Sequence, residues 1–197
     1  MVVPKLVAYQ ILEPALRLPE PIQLDCVQER PERLVAELAI YSLDLVLADT
    51  PAPPAVKVRA YNHLLGESGV SVFGTESVAA AHRRRFPRSL DGAPFLLPSG
   101  DSGLRLSLED WFRRQGVRPR VVGTFEDSAL IDAFGRAGAG LFALPSAIEP
   151  QVRRQYGVHL VGRLDSVRQR FYAITVERQV RNPAVIAISE RARVLFA

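Results

Sequence analysis

Along this chain, stretches with apolar residues at helical spacing alternate with short unbroken apolar runs. In residues 4–16, Leu6, Val7, Ile11 and Leu12 fall near the 3.6-residue period, and Pro4 suits a first helical turn. Residues 22–27 form a short β-prone run. Residues 31–41 return to helical spacing, with Leu34, Val35, Leu38 and Tyr41 on one face. Residues 43–48 read as a buried strand, and 50–54 as a proline-rich loop. The style then repeats: strands over 56–61 and 70–73, a helix over 76–86 stopped by Pro87, and a short strand over 94–97 running into the loop 98–103. An amphipathic helix over 106–115 holds Trp111 and Phe112. Beyond it come a strand at 120–124, a helix at 127–136 capped by Gly135 or Gly138, and a buried strand at 140–144. A helix at 148–156, strands at 158–164 and 171–176, and a closing helix at 183–196 complete the pattern. Strands alternating with helices predict an α/β fold with parallel sheets covered on both faces.

Composition narrows the class. With 197 residues, 48% of them apolar, the chain is long enough for one sizeable core or two small lobes. No apolar run reaches the about 18 residues a membrane span needs, and no basic leader precedes a long apolar stretch. A soluble cytoplasmic protein without membrane partners is expected. The single thiol, Cys26, sits in an apolar run and reads as a small buried hydrophobe. Net charge is +4, and of 25 basic residues only Lys5 and Lys57 are lysines. The densest basic cluster, His82 to Arg85, falls at a helix end, where cations favour the helix dipole and face solvent. No nucleic-acid-binding motif accompanies it.

Enzyme motifs are missing: no nucleophile elbow, no phosphate loop, no zinc-protease pair, no paired cysteines. The Gly-rich string at 135–140 follows a helix and precedes a strand, the reverse of a dinucleotide loop, and reads as a helix stop. His63, His82 and His159 are too scattered for a metal site. The informative positions are loops at strand C-ends, where open α/β sheets collect ligands against helix N-termini. The candidates are Glu29, then Ser99 and Asp101, then Glu126, Asp127 and Ser128, then Ser146. Each can hydrogen-bond a small ligand. Each Ser and Asp is also a favoured helix cap, so capping is the competing reading for any single loop.

Several segments carry a family resemblance. Residues 4–9 with 13–16, 43–49, 61–67, 86–98, 125–130 and 171–174 resemble, in order, the effector domain of LysR-type transcription regulators. The resemblance covers nearly the whole chain. It implies a type 2 periplasmic-binding-protein-like fold, with two α/β lobes joined by two crossover strands. Lobe I would be 1–63 with 165–197 and lobe II 64–164, with a small effector in the cleft between them. The branch of the family it resembles activates sodium/proton-antiporter genes, so the implied function is effector sensing and not catalysis. A stand-alone solute-binding protein of the same fold is the alternative. No cofactor is implied; the ligand would be a sodium ion or a small-molecule effector. Carboxylates at Glu29, Asp101, Glu126 and Asp127 suit a hard cation, whereas helix N-termini suit an anion, and both stay open.

The resemblance also implies a homodimer or homotetramer in which lobe I meets lobe II of a partner. Apolar residues on more than one face of 4–16 fit that pairing. Family members carry a winged helix-turn-helix, a linker helix and a first strand ahead of this stretch. DNA would be bound only through that part. Without the first strand, the edges of 22–27 and 43–48 are expected to stay open, favouring aggregation and loss of activator function.

Overall fold

The computed structural model describes residues 3–53, 59–100, 102–178 and 181–197. In chain order the elements are α1 (Lys5–Leu12) with a 3-10 turn over Glu13–Arg17, α2 (Pro31–Ala39), β1 (Val46–Ala48), β2 (Tyr61–Gly74) and α3 (Glu76–Arg83). They continue with β3 (Pro94–Pro98), α4 (Gly103–Gln115), β4 (Arg120–Phe125), α5 (Ser128–Arg136), β5 (Phe142–Pro145), α6 (Glu149–Tyr156), β6 (His159–Thr175) and α7 (Pro183–Phe196). No helix among the described residues is long and apolar enough to cross a membrane. The chain divides into two compact units, one mainly Leu6–Glu67 with Arg170–Ala197, the other mainly Ser68–Gln169.

In the first unit, β1 pairs antiparallel with the end of β6, Val46 opposite Ile174 and Ala48 opposite Tyr172. The amphipathic face of α2 closes over this ladder, so Leu34, Leu38, Val46, Ala48 and Ile174 form one buried cluster. The closing helix α7 is anchored by Phe196, whose ring stacks on Phe171 of β6 at 4.6 Å. Gly66 makes that anchor fit. A Cβ built there would lie 2.5 Å from Phe196 Cβ, and its φ of 155° is one that L side chains rarely adopt.

The second unit holds the larger core. β3 and β4 run parallel, Phe95 opposite Val121 and Leu97 opposite Thr124. On the other flank of β3, Leu141 bridges Phe95, also in parallel sense. Trp111 and Phe112 of α4 lie on this layer, Phe112 edge-on to Phe95 at 5.3 Å and Trp111 stacked near Phe86 at 6.0 Å. The indole N–H donates to Asp165 O at 3.0 Å, so the ring is buried without an orphaned donor. β2 pairs antiparallel with β5, Val70 opposite Pro145 and Phe73 opposite Phe142.

Several expectations need correction. The larger sheet, ordered β1–β6–β2–β5, is antiparallel in the β1/β6 and β2/β5 pairs; parallel pairing is found at β3/β4 and at the Phe95–Leu141 bridge. The runs at 158–164 and 171–176 are one 17-residue strand, because the intervening segment stays in the ladder and absorbs its irregularity at Ser166, with φ 73°. The run at 70–73 is likewise the end of a 14-residue strand that begins at Tyr61. Of the strand expected at 56–61, residues 56–58 lie outside the described residues. Residues 21–30 join no ladder, and most of their side chains are exposed. Cys26 is exposed and not buried; a β-prone composition without a partner strand leaves it in solvent. At the end of α5 it is Gly138, with φ 83°, that takes the left-handed position, while Gly135 stays within the helix, buried under Phe142.

Phe95 is fully buried at the centre of the second unit. Phe95→Ala is expected to cost about 3–5 kcal/mol in denaturant unfolding. Leu106→Ala, on an exposed position of α4, should stay within about 0.5 kcal/mol. Equal losses at the two positions would contradict this core assignment.

Candidate functional site

The parallel arrangement of β4, β3 and the Leu141 bridge brings several chain reversals to one end of the second unit. β3 ends at Pro98 and enters α4 through Ser99–Ser102; β4 ends at Phe125 and enters α5 through Glu126 and Asp127; β5 ends at Pro145 and enters a 3-10 turn at Ser146. The first two loops are tied together, since Ser99 N donates to Phe125 O at 2.8 Å. The structure thus brings Ser99, Glu126, Asp127 and Ser128 into neighbouring loops, with Ser146 at the end of β5. Asp101 lies outside the described residues. Glu29 belongs to the first unit. It is exposed and pairs with Arg33 at 3.2 Å, one turn along the entry to α2.

Capping occupies part of this set. Asp127 accepts from Ala129 N at 3.0 Å as the N-cap of α5, and Ser102 accepts from Arg105 N at 3.1 Å as the N-cap of α4. Glu126 is exposed. Ser128 is 5% exposed, and its hydroxyl has no hydrogen-bond partner among the described residues. A buried hydroxyl without a partner is costly, so this oxygen is a position where a ligand or water gains a bond.

Ser146 sits in a network that sequence reasoning missed. Ser146 Oγ and Ser71 Oγ are 2.7 Å apart, and Ser71 Oγ lies 3.4 Å from Glu149 Oε2. Arg163 donates to the same carboxylate oxygen from Nε at 3.3 Å and from Nη2 at 3.1 Å. Ser68 Oγ accepts from Ala147 N at 3.0 Å and donates to Gly69 O at 2.8 Å, pinning the turn after β5 onto β2. Glu149 is almost wholly buried in the first turn of α6, where a carboxylate is favoured by the helix dipole. The signal was available in part: Ser68 and Ser71 fall three residues apart in a run that is otherwise strand-like and apolar. Their meeting with Ser146 depends on the β2/β5 register, which spacing does not show.

A second polar pair ties α5 to α6. The Tyr156 hydroxyl donates to Asp132 Oδ2 at 3.0 Å, and Arg136 lies over the Tyr156 ring at 5.3 Å. Asp132 is 6% exposed and its other oxygen has no partner among the described residues. Burial raises its pKa to about 6, with the charge of Asp127 adding to the rise, while the Tyr156 bond and Arg136 oppose it. Burial and the neighbouring carboxylate push Tyr156 up to about 12. A cavity of about 370 Å³ elsewhere in the unit is walled by Leu97, Phe112, Val117 and Val121 with Arg113 and Arg118. None of the described sequence-derived candidates lines it.

The raised pKa of Asp132 has a definite sign. A carboxyl whose folded pKa lies above its unfolded value stabilises the fold fully below about pH 4, and that contribution is lost as pH rises through about 6. Asp132→Asn, which keeps an acceptor for Tyr156, is expected to be more stable than the parent at pH 7 by on the order of 2 kcal/mol. The difference between the two should shrink as pH falls from 6 to 4 in urea unfolding, and a constant difference would overturn the assignment.

The matched proteins agree with this architecture. The LysR substrate binding domain family matches residues 4–195. The transcriptional activator protein NhaR of Escherichia coli K12 is 30% identical over 175 residues, 89% of this chain and 57% of NhaR. NhaR of Shigella flexneri matches to the same extent, so the chain spans a little over half the length of these curated relatives. A transcriptional regulator from Vibrio parahaemolyticus has the same fold at a TM-score of 0.75 and 14% identity, covering 96% of this chain and 90% of that one. The effector binding domain of QuiR in complex with shikimate gives a TM-score of 0.66 at 14% identity, with the same coverage. The α/β, type 2 periplasmic-binding-protein-like architecture is therefore the fold of this chain, and the chain belongs to the LysR substrate binding domain family.

Proposed function

We propose that this chain is the effector-sensing regulatory half of a transcription activator of the NhaR kind, acting in the cytoplasm on sodium/proton-antiporter genes. The observation that carries the reading is the gathering of polar loops at the C-ends of β3, β4 and β5 in a chain of this family. Ser99, Glu126, Asp127, Ser128 and Ser146 are assigned to effector contact, and Asp101 and Glu29, named from the sequence, complete the candidate set. The two units serve as effector-binding lobes. DNA contact is assigned to no residue of this stretch and falls to the winged helix-turn-helix that family members carry ahead of it. The 30% identity with NhaR over 89% of the chain supports the choice of branch.

The site reading is tested by melting the chain in matched sodium and potassium chloride and with a panel of small metabolites. A ligand-induced rise in Tm is expected that Ser99→Ala and Ser146→Ala diminish. A rise that both variants leave untouched would remove these loops from the site.

Self-association follows from the same reading. Leu6, Val7 and Ile11 of α1 are buried, yet Tyr9 is 60% exposed and Leu16 in the following turn 57%. In the second unit, Leu130 and Phe134 stand one turn apart on α5 and are 49% and 47% exposed. Apolar faces of this kind mark interaction surfaces. Sedimentation is expected to give a dimer or a higher oligomer, weakened about tenfold or more by Leu130→Glu with Phe134→Glu. A monomer at every concentration would contradict the pairing.

A further inference from the structure

The outward face of β6 carries a row of arginines, and their partners differ. Arg163 is paired with Glu149 at 3.1 Å, and Arg170 with Glu67 at 3.4 Å. Arg168 has no carboxylate within 4.0 Å among the described residues; it donates from Nη1 to the carbonyl of the adjacent Val167, at 3.1 Å. A guanidinium has five donors, so most of Arg168's capacity is unspent by that bond.

Its surroundings lie within the second unit. Val70 faces Pro145 in the β2/β5 ladder, so the next pair outward is Gly69 and Ser146. A Cβ at Gly69 would stand 3.3 Å from Ser146 Oγ and 3.8 Å from Arg168 Nη1, which places those two atoms no more than 7.1 Å apart over the bare strand. An oxyanion accepting charge-assisted bonds of about 2.8 Å from both sides fits such a span.

The hydroxyl pair behind Ser146 can supply the proton that an anion needs. Glu149 already receives two bonds from Arg163, and its contact with Ser71 is long at 3.4 Å, against 2.7 Å between Ser71 and Ser146. When Ser71 donates to Ser146, the Ser146 proton is released toward a ligand. When Ser71 donates to Glu149, Ser146 offers only lone pairs on that side. Because Glu149 is already neutralised by Arg163, the first arrangement leaves no charge unmatched, and Arg168 supplies the positive charge an anion requires.

We propose that Arg168 and Ser146, over Gly69, grip the oxyanion of an acidic effector, a carboxylate, phosphate or sulfate group, and make this sensor selective for anions. The proposal rests on the effector-sensing reading above and names the chemical class of its ligand. Arg168 is the specificity-determining charge, Ser146 the second donor, and Gly69 the gap that admits both.

The test is thermal melting and calorimetric titration of the 197-residue chain with acetate, succinate, citrate, inorganic phosphate and sulfate. Each is supplied as both sodium and potassium salts, against the chlorides at matched ionic strength. The expected result is saturable binding of at least one oxyanion, independent of the cation. Arg168→Gln should weaken it about tenfold or more. Gly69→Ala, which crowds Ser146 by a few tenths of an ångström, should weaken it too. Arg84→Gln, an exposed arginine on the turn after α3, controls for general salt effects and should bind like the parent. Three outcomes overturn the proposal: no oxyanion binds, Arg168→Gln binds as tightly as the parent, or sodium stabilises over potassium with every anion. In the last two, a response lost in Ser99→Ala or Ser146→Ala would leave the effector-sensing reading standing while this assignment falls.

Discussion

The register between β2 and β5 is the constraint on which the second unit's polar chemistry depends. With Val70 opposite Pro145, the residues that follow β5 are laid against a fixed stretch of β2, and Ser71, Ser68 and Gly69 become the neighbours of Ser146 and Ala147. A slip of one residue would send every side chain of one strand to the opposite face. The apolar members of the same ladder prevent that slip, since Val72, Phe73 and Phe142 are completely buried. Packing therefore sets the geometry, and the polar groups inherit it. Ser68 then adds two local bonds that hold the turn after β5 in place.

Charge is distributed unevenly around this frame. Glu149 shares one carboxylate oxygen with Arg163, but the arginine is largely solvent-exposed, so the pair orders the site more than it stabilises the fold. Asp132 is the opposite case, a buried carboxylate with a tyrosine on one oxygen and no partner on the other among the described residues. The first arrangement keeps a negative charge tolerable close to a hydroxyl pair, and the second stores an electrostatic penalty between α5 and α6.

Much of the fold was legible from periodicity. The spacing of apolar residues placed α2, α4, α6 and α7 within a few residues of their observed limits, and the short runs placed β3 and β4. Long strands were less legible. The strands expected at 56–61 and 70–73, and at 158–164 and 171–176, stop short of what forms, because β2 continues through Gly66 and Gly69 and β6 through Ser166, where ladder partners tolerate local irregularity. Sheet sense was also hidden, because alternation of strands and helices says nothing about which distant strands pair. Residues 22–27 show the converse, a sequence with strand propensity that finds no ladder. In the site, the loop serines and Asp127 could be named because helix caps and ligand loops share a composition. Glu149, Arg163 and Arg168 could not, because their meaning comes from neighbours 14 to 99 residues away in sequence.

The composition of the two units has a consequence for how the chain acquires its structure during synthesis. The second unit is essentially one continuous stretch, so its β3/β4 layer, its core and its polar network can assemble as soon as that stretch has left the ribosome. The first unit is split. β1 has to wait for Tyr172 to Ile174, and Gly66 has to wait for Phe196, so its closure requires contacts between segments more than a hundred residues apart. Such long loops are slow to close. Until the end of β6 arrives, Leu34, Leu38 and Val46 lack the cover of Ile174, and the nascent first unit is the portion exposed to chaperones and to misassociation.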